Sequence, residues 1–481
     1  MTLTNRSLVT IDDLSNGEIE SVFFLADEIA EAMGKQSGVC QGKIMASLFF
    51  EPSTRTRLSF EAAMHRLGGH VISAADVGAT SLAKGESLAD MAKVVGSYAD
   101  IIVIRHPWEG AAKVVADYAG VPVINAGDGG HQHPTQTLLD LYTLQKERQT
   151  IKGLKIALWG DLKYGRTIHS LIFALAKFEA DILFCPSPGL EVPKHVLKKL
   201  TMEYGGEVES LGALNRKEKD SPFPLDAIYI TPSSPHQLTM MPDISIELEM
   251  KTGVDALYVT RPQKERFVTA EENQELKKGF PVVDKRLLNG KAFRKTLVMH
   301  PLPRVDELAY EVDADPRSMY FKQAARGVPV RMALIALLLG TKEIPIPAKD
   351  DPHIQKIDYP VYRRDSGVRC PNPTCVSIQE TETKYLKSEF KIVDHEPLTL
   401  RCIYCEHGFE PEYVASSDWH EGRLDNRKYH STDSHWARKI KPENLIIFNS
   451  ESEAETRGFK PSRYVRARHQ RNDEGKLTKE Q

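Results

Sequence analysis

Through its first 341 residues the chain alternates between two textures. Short β-branched apolar runs stand at "KIMASLFF" (43–50), "HVISA" (70–74), "IIVIRH" (101–106), "VPVINA" (121–126), "LKIALWG" (154–160), "DILFC" (181–185), "DALYVT" (255–260) and "TLVMH" (296–300). Between them lie stretches of helical periodicity such as 14–35, 85–99 and 134–148. Strands that alternate with helices leave few solutions. Each strand reaches its neighbour through a crossover, so the sheets are parallel and helices cover both faces.

So many strands over this length divide better into two sheets than one. The helix "HPTQTLLDLYTLQKERQT" ends in a charged stretch before a new strand, which places a hinge near 148–152. The expected fold class is α/β: two doubly wound parallel-sheet domains followed by a small zinc-stabilised β domain. The first domain is expected over 1–150, completed by a C-terminal helix at about 317–341, and the second over 151–316. "DAIYIT" (226–231) recurs as "DALYVT" (255–260) across the proline-rich "PSSPHQLTMMPD", a weak hint of duplication. The Pro-rich, polar stretch 342–365 reads as a linker.

At 481 residues the chain has room for two or three domains. Its 63 basic and 66 acidic residues leave a net charge of −3, which argues against a nucleic-acid binder as a whole. The first twenty residues lack a basic-then-apolar signal pattern. The most apolar stretch, "MALIALLLG" (332–340), is too short to span a bilayer. The expected address is the cytoplasm, with neither membrane nor nucleic acid as partner.

A buried strand that runs into "EPSTRTRLSFE" (51–61) raises a specific question. The mouth of a helix offers free N–H groups and the positive end of the dipole, so it suits an anion. Ser53 fits the N-cap position and Pro52 fixes the entry. Arg55 and Arg57, two apart, point about 200° from each other around a helix. Arg55 is therefore expected to reach an anion and Arg57 to brace its surroundings. Taken alone, the segment reads equally as an ordinary cap with solvated arginines. "VIRHPWEG" adds Arg105 after a strand, and "GGHQHPTQTLLD" adds His133 and Gln136 at a helix start. Polar groups after several parallel strands are where open α/β sheets place ligands.

With these residues in view, the chain resembles the catalytic chain of the aspartate carbamoyltransferase family. "SxRTRxSFE", "HPTQTLLDL", "GDLKYGRTIHSL", "RPQKER" and "MHPLPRVDEL" occur in the family's order, and the resemblance runs from the N-terminus to about residue 341. It implies transfer of a carbamoyl group from carbamoyl phosphate to L-aspartate, with no protein nucleophile and no organic cofactor. Carried over, Ser53, Thr54, Arg55 and Thr56 cradle the phosphate with Arg105. His133 and Thr56 polarise the carbonyl oxygen. Gln136 and the backbone carbonyls of Leu302 and Pro303 hold the carbamoyl NH₂, and the family's Leu–Pro peptide is cis. Arg166 and Arg261, with Gln263, would bind aspartate, since guanidinium forks suit carboxylates.

Ser81 and Lys84, in "GATSLAKGESLADM", lie on a loop that in the family reaches a neighbouring subunit, which implies a homotrimer with shared sites. The common family form has one more residue between this serine and lysine. The interval from Arg166 to Arg261 is longer than in the commonest family form, which marks an insertion at about 205–252. The sister ornithine enzymes typically carry a cysteine where this chain has "HPLP" (300–303). A non-catalytic scaffold would not need the full set of arginines and His133.

Cysteines add a second chemistry. "RCPNPTC" and "RCIYCEHGFE" place Cys370 and Cys375, then Cys402 and Cys405, in two short-spaced pairs. That set fits one structural, tetrahedral zinc per chain. The stretch 366–416 also resembles the zinc domain of the regulatory chain that accompanies this enzyme in many bacteria, here without its nucleotide-binding domain. It implies an assembly role that leaves room for more than a trimer. "RKYHSTDSHWARKIKPENLIIFNSESEAETRGFKPSRY" resembles a small metal-binding unit of some repair and nuclease proteins, but carries Ser434 and Ser462 near positions where that unit has cysteines. Residues 417–465 therefore read as a packing remnant, and 466–481 as a basic, solvated tail.

Overall fold

The computed structural model describes residues 2–75, 85–205, 225–232, 253–261, 282–345, 353–363, 368–380, 386–418 and 427–467. They form two compact units, one of Met1–Pro107 with Ala112–Gln355 and one of Trp108–Ala111 with Lys356–Gln481.

The first unit carries two parallel sheets. Strands β1 (Ile44–Phe49), β2 (His70–Ala74), β3 (Ile101–His106) and β4 (Val123–Asp128) run in the order β2-β1-β3-β4. Strands β5 (Lys155–Gly160), β6 (Asp181–Pro186), β7 (Ala227–Thr231), β8 (Ala256–Val259) and β9 (Leu297–Met299) run β6-β5-β7-β8-β9. Every pairing within these two sheets is parallel. β3, β4, β7 and β8 are buried along their whole length, the continuous apolar pattern of strands covered on both faces.

Helix α1 (Asn16–Glu31) precedes the first strand, and α2 (Thr54–Arg66), α3 (Leu88–Gly96), α4 (Ala111–Tyr118), α5 (Pro134–Arg148), α6 (Arg166–Lys177) and α7 (Lys194–Tyr204) lie between strands. A last long helix, α8 (Tyr320–Leu338), packs against α1, α2 and α5. The "MALIALLLG" stretch lies within and just beyond it, and its Met332–Leu338 segment is buried. No described helix is long and apolar enough to cross a membrane.

The sequence echo has a structural reason. β7 and β8 are neighbours in register, with Ala227 opposite Ala256 and Tyr229 opposite Tyr258. The two tyrosine rings stack with centroids 4.3 Å apart and planes 11° apart. Adjacent strands facing the same layers select the same residue pattern. Most of the 205–252 insertion lies outside the described residues, as do Ser81, Lys84 and Gln263.

Among the named strands of the second unit, every pairing but one is antiparallel. β10 (Val361–Tyr362), β11 (Phe390–His395), β12 (Leu398–Cys402) and β13 (Gly408–Phe409) make one sheet. β14 (Tyr413–Ser416), β15 (Lys428–Ser431), β16 (Leu445–Phe448) and β17 (Lys460–Pro461) make another, ordered β16-β14-β15-β17, in which β15 and β17 run parallel. The latter encloses a small core of Tyr429, Phe448, Ala454, Phe459 and Val465. Ser434 and Ser462 are buried in it. Their hydroxyls accept from the N–H groups of Ala437 and Val465, so each serves as a local backbone cap.

Candidate active site and four-cysteine centre

Strands β1, β4 and β5 end, and helices α2, α5 and α6 begin, around one cavity of about 690 Å³. Ser53, Thr54, Arg55, Thr56, Arg105, His133, Gln136, Arg166, Arg261, Leu302 and Pro303 all line it. The N-cap positions of these three helices are Ser53, His133 and Gly165, and none gives a side-chain cap. By contrast Ser15 and Ser87 cap α1 and α3 through the N–H groups of Glu18 and Asp90. Ser53 thus occupies the expected N-cap position without bonding the helix backbone. Its hydroxyl donates instead to Thr56 Oγ1, 3.0 Å away. The first turn of α2 keeps its positive end for a ligand.

Arg55 lines the cavity, whereas Arg57 turns to Glu61 one helical turn on, 3.6 Å away. Burial lowers the Arg55 guanidinium. Arg105 is buried at the end of β3 and donates to the Ala126 carbonyl and to Glu51. Burial, and then the charge of Arg166, pull its pKa down to about 10. Glu51 was not singled out by sequence reasoning, yet it holds two of the arginines. Arg166 meets its carboxylate through two bonds of 2.8 Å, and Arg105 through one of 3.1 Å. Burial alone would raise the Glu51 carboxyl, but the bonds and charges of Arg166 and Arg105 outweigh it and hold it low.

His133 is buried, and its pKa lies well below the ordinary value because burial and the charges of Arg105, Arg166 and Arg331 all oppose protonation. The ring is therefore neutral. Its backbone N–H donates to Ser170 Oγ, and Thr135 Oγ1 lies 3.4 Å from Nδ1. Gly127 makes room for the pair: at φ +114°, its added Cβ would sit 3.2 Å from the His133 ring and 3.3 Å from Arg105. Opposite, His300 fixes the Leu302–Pro303 turn, whose peptide is cis. His300 Nδ1 accepts the Leu302 N–H at 2.8 Å, so its proton sits on Nε2, 2.8 Å from Glu307. Arg331, also missed from the sequence, reaches the cavity from α8. Its residue type at a helix interior gave no signal that it would face inward.

In the second unit Cys370, Cys375, Cys402 and Cys405 are buried, with all four sulfurs within 4.8 Å of one another. Cys370 and Cys405 lie 3.6 Å apart and Cys375 and Cys402 3.8 Å apart. Zinc–sulfur bonds of about 2.3 Å in a tetrahedron require edges of about 3.8 Å. The donor set and spacing fit that ion. Among the described residues these four are the group arranged to hold a metal.

Family models match at three places. Residues 6–146 match the aspartate/ornithine carbamoyltransferase carbamoyl-P binding domain, and residues 233–338 the Asp/Orn binding domain. Residues 365–415 match the metal binding domain of the aspartate carbamoyltransferase regulatory chain. The aspartate carbamoyltransferase catalytic subunit of Thermococcus onnurineus is 46% identical over 340 residues, covering 70% of this chain and 98% of that protein. That of Thermoplasma acidophilum is 45% identical over 345 residues, covering 70% and 99%. Among solved structures, the catalytic subunit of M. jannaschii aspartate transcarbamoylase superposes with a TM-score of 0.56 at 42% identity, covering 70% of this chain and 98% of that one. The Trypanosoma cruzi enzyme in complex with N-(phosphonacetyl)-L-aspartic acid gives 0.56 at 36% identity, covering 70% and 96%. A chain that spans its relatives almost completely at this identity belongs to the aspartate carbamoyltransferase family, as a catalytic chain continuing into a metal-binding domain of the regulatory-chain type.

Proposed function

We propose that the cavity transfers the carbamoyl group of carbamoyl phosphate to the amine of L-aspartate, giving N-carbamoyl-L-aspartate and phosphate for de novo pyrimidine biosynthesis. The observation that carries this reading is the convergence of three side-chain-uncapped helix starts, five arginines and a neutral histidine on one cavity.

Ser53, Thr54, Arg55 and Thr56 cradle the phosphate at the start of α2, and Arg105 supplies a second cation. The amine attacks the carbonyl carbon; the new C–N bond forms as the C–O bond to phosphorus breaks. Negative charge develops first on the carbonyl oxygen and then on the leaving phosphate. Fixed donors at both places act without reorganising, which is the largest source of catalysis available to such a site. Neutral His133 donates an N–H to the carbonyl oxygen together with the Thr56 hydroxyl. A ring carrying its proton on Nε2 leaves Nδ1 to Thr135. The proton released by the amine leaves with the phosphate. Gln136 and the carbonyls of Leu302 and Pro303 hold the carbamoyl NH₂.

Arg166 and Arg261 bind the two aspartate carboxylates, with Gln263 beside them. In this reading Glu51 holds Arg166 and Arg105 in place before substrates arrive. Ser81 and Lys84 come from a neighbouring subunit of a homotrimer, and Lys84 reaches both substrates. Ile72 on the edge strand β2, and Val94 and Tyr98 in and after α3, are exposed on the elements that flank residues 76–84 in the chain, and Leu58 on α2 is exposed as well. Such an apolar border suits a subunit contact. Zinc held by Cys370, Cys375, Cys402 and Cys405 folds the small sheet of the second unit, which joins subunits into larger assemblies. The enzyme works in the cytoplasm and needs no organic cofactor.

Product formation from carbamoyl phosphate, measured in parallel with L-aspartate and L-ornithine, tests the reading. Turnover with aspartate alone is expected. Turnover with ornithine alone, or none from folded, zinc-loaded protein, would overturn it.

A further inference from the structure

Helix α5 carries a buried carboxylate that the reaction above does not use. Asp140 is 2% exposed and lies one turn beyond Gln136. Its Oδ1 accepts from Gln136 Nε2 at 2.8 Å and from Gln323 Nε2 at 2.7 Å. Its Oδ2 accepts from the Tyr258 hydroxyl at 3.0 Å. The guanidinium of Arg331 supplies a nearby positive charge. Each donor comes from a different part of the first unit: Gln136 from α5 itself, Gln323 from α8 and Tyr258 from β8.

A side-chain amide has two chemically different ends, and Asp140 decides which end of Gln136 faces the cavity. With Nε2 turned to the carboxylate, the oxygen is the end turned away from it, toward a ligand. Burial raises the Asp140 carboxyl to about 7 against the bonds from Gln136, Gln323 and Tyr258, so above that pH it is the ionised acceptor. In that form the flipped amide would set two acceptor oxygens against each other at hydrogen-bond distance, in a buried place where that is costly. The same carboxylate reaches the opposite wall. Gln323 gives Nε2 to Asp140 and its oxygen to the His300 N–H, at 3.0 Å, so it holds the start of the 300–303 turn. Tyr258 ties in β8, whose end leads to Arg261.

We propose that Asp140 is a positioning residue for carbamoyl transfer and for the choice of carbamoyl over acetyl groups. It fixes Gln136 as an acceptor, which matches the NH₂ of a carbamoyl group and offers nothing to a methyl group of the same size. This rests on the proposed reading of the cavity.

The test uses the full, zinc-loaded chain and compares KM for carbamoyl phosphate with the inhibition constant of acetyl phosphate. In Asp140→Ala the carbamoyl phosphate KM should rise about tenfold, the loss of one charge-assisted orientation, while the acetyl phosphate constant moves less than about threefold. Adding Asp140→Ala to Gln136→Ala should raise KM by less than about twofold, because residues acting through one another are not additive. Asp140→Asn retains an oxygen for both glutamines and should restore KM to within about threefold of wild type. If the alanine variant does not fold, Asp140→Ser, too short to reach Gln136, takes its place with the same expectation.

Equal losses for both phosphates, a full tenfold loss on top of Gln136→Ala, or failure of a folded asparagine variant to rescue would each overturn the inference. A wild-type chain without aspartate turnover would instead sink the reading of the cavity, and the inference with it.

Discussion

Two clusters of like groups lie in this molecule, and they are held in opposite ways. Around the cavity Arg55, Arg105, Arg166, Arg261 and Arg331 converge. In the second unit four cysteine sulfurs sit within 4.8 Å of one another. The arginines have an internal counter-charge: Glu51 bonds Arg105 and Arg166, and Asp140 lies near Arg331. Arginine also keeps its charge under burial, so the site stays cationic while substrates come and go. The four sulfurs instead face one another, Cys370 beside Cys405 and Cys375 beside Cys402. A reversible ligand site needs a resident placeholder, and a permanent one is better without it, because the ion itself then drives folding.

The sharpest way to break this contrast is to take the metal away. Structural zinc contributes about 10–16 kcal/mol of apparent binding energy in small domains. Chelation, or Cys402→Ser, should therefore unfold residues 366–416, expose four reactive thiols and make the segment a protease target. The first unit, with its own buried core and internal counter-charges, should keep its fold. If the segment stays protected after the metal has gone, the cluster does not depend on an ion.

Next in size is Arg55→Ala. Removal of a preorganised cation at developing charge typically lowers turnover by about 10²–10³. Steady-state kinetics should show that loss in kcat/KM, with melting temperature almost unchanged because Arg55 is exposed at the wall of the cavity. A change below tenfold would move the phosphate site elsewhere in the cavity.

Glu51→Gln probes the placeholder directly. Breaking the partly buried pair should cost about 1–2 kcal/mol of stability at neutral pH. The folded-state pKa of Glu51 is lowered from 4.5, so this stabilisation is present above that value and is lost as pH falls below it. Melting curves of wild type and variant should therefore converge in acid. Inorganic phosphate should raise the melting temperature of the variant more than that of wild type, since an anion replaces the missing charge. Parallel curves at all pH values would remove Glu51 from this role.

How much of this was legible beforehand follows the same division. The alternation of apolar runs dictated parallel sheets, because each buried strand had to be covered on both faces. Most of the polar side chains that line the cavity sit just after strands or at helix starts, where a sequence signal exists. Glu51 opens "EPSTRTRLSFE", but nothing in its position shows that it would bridge Arg105 and Arg166, which are distant in the chain. Asp140 and Arg331 look like ordinary helix residues, and their inward placement depends on how α5 and α8 pack. The four cysteines needed no fold to be read, since ligand type and spacing carry the chemistry. Ser81, Lys84 and Gln263 depend on the family resemblance and lie outside the described residues.

The smallest expected effect separates the two kinds of helix start. Ser15 caps α1 within a reciprocal capping box, so Ser15→Ala should cost about 1 kcal/mol of stability. Its effect on turnover should be negligible, because nothing in α1 touches the cavity. Ser53 occupies the same position on α2 but donates to Thr56 rather than capping the backbone. Ser53→Ala should therefore change stability by less than about 0.5 kcal/mol, yet raise the carbamoyl phosphate KM by a few-fold. Paired denaturation and kinetic measurements read both. If Ser53→Ala proves as destabilising as Ser15→Ala and leaves KM alone, the start of α2 is an ordinary cap, and the anion must be held by side chains rather than by the helix end.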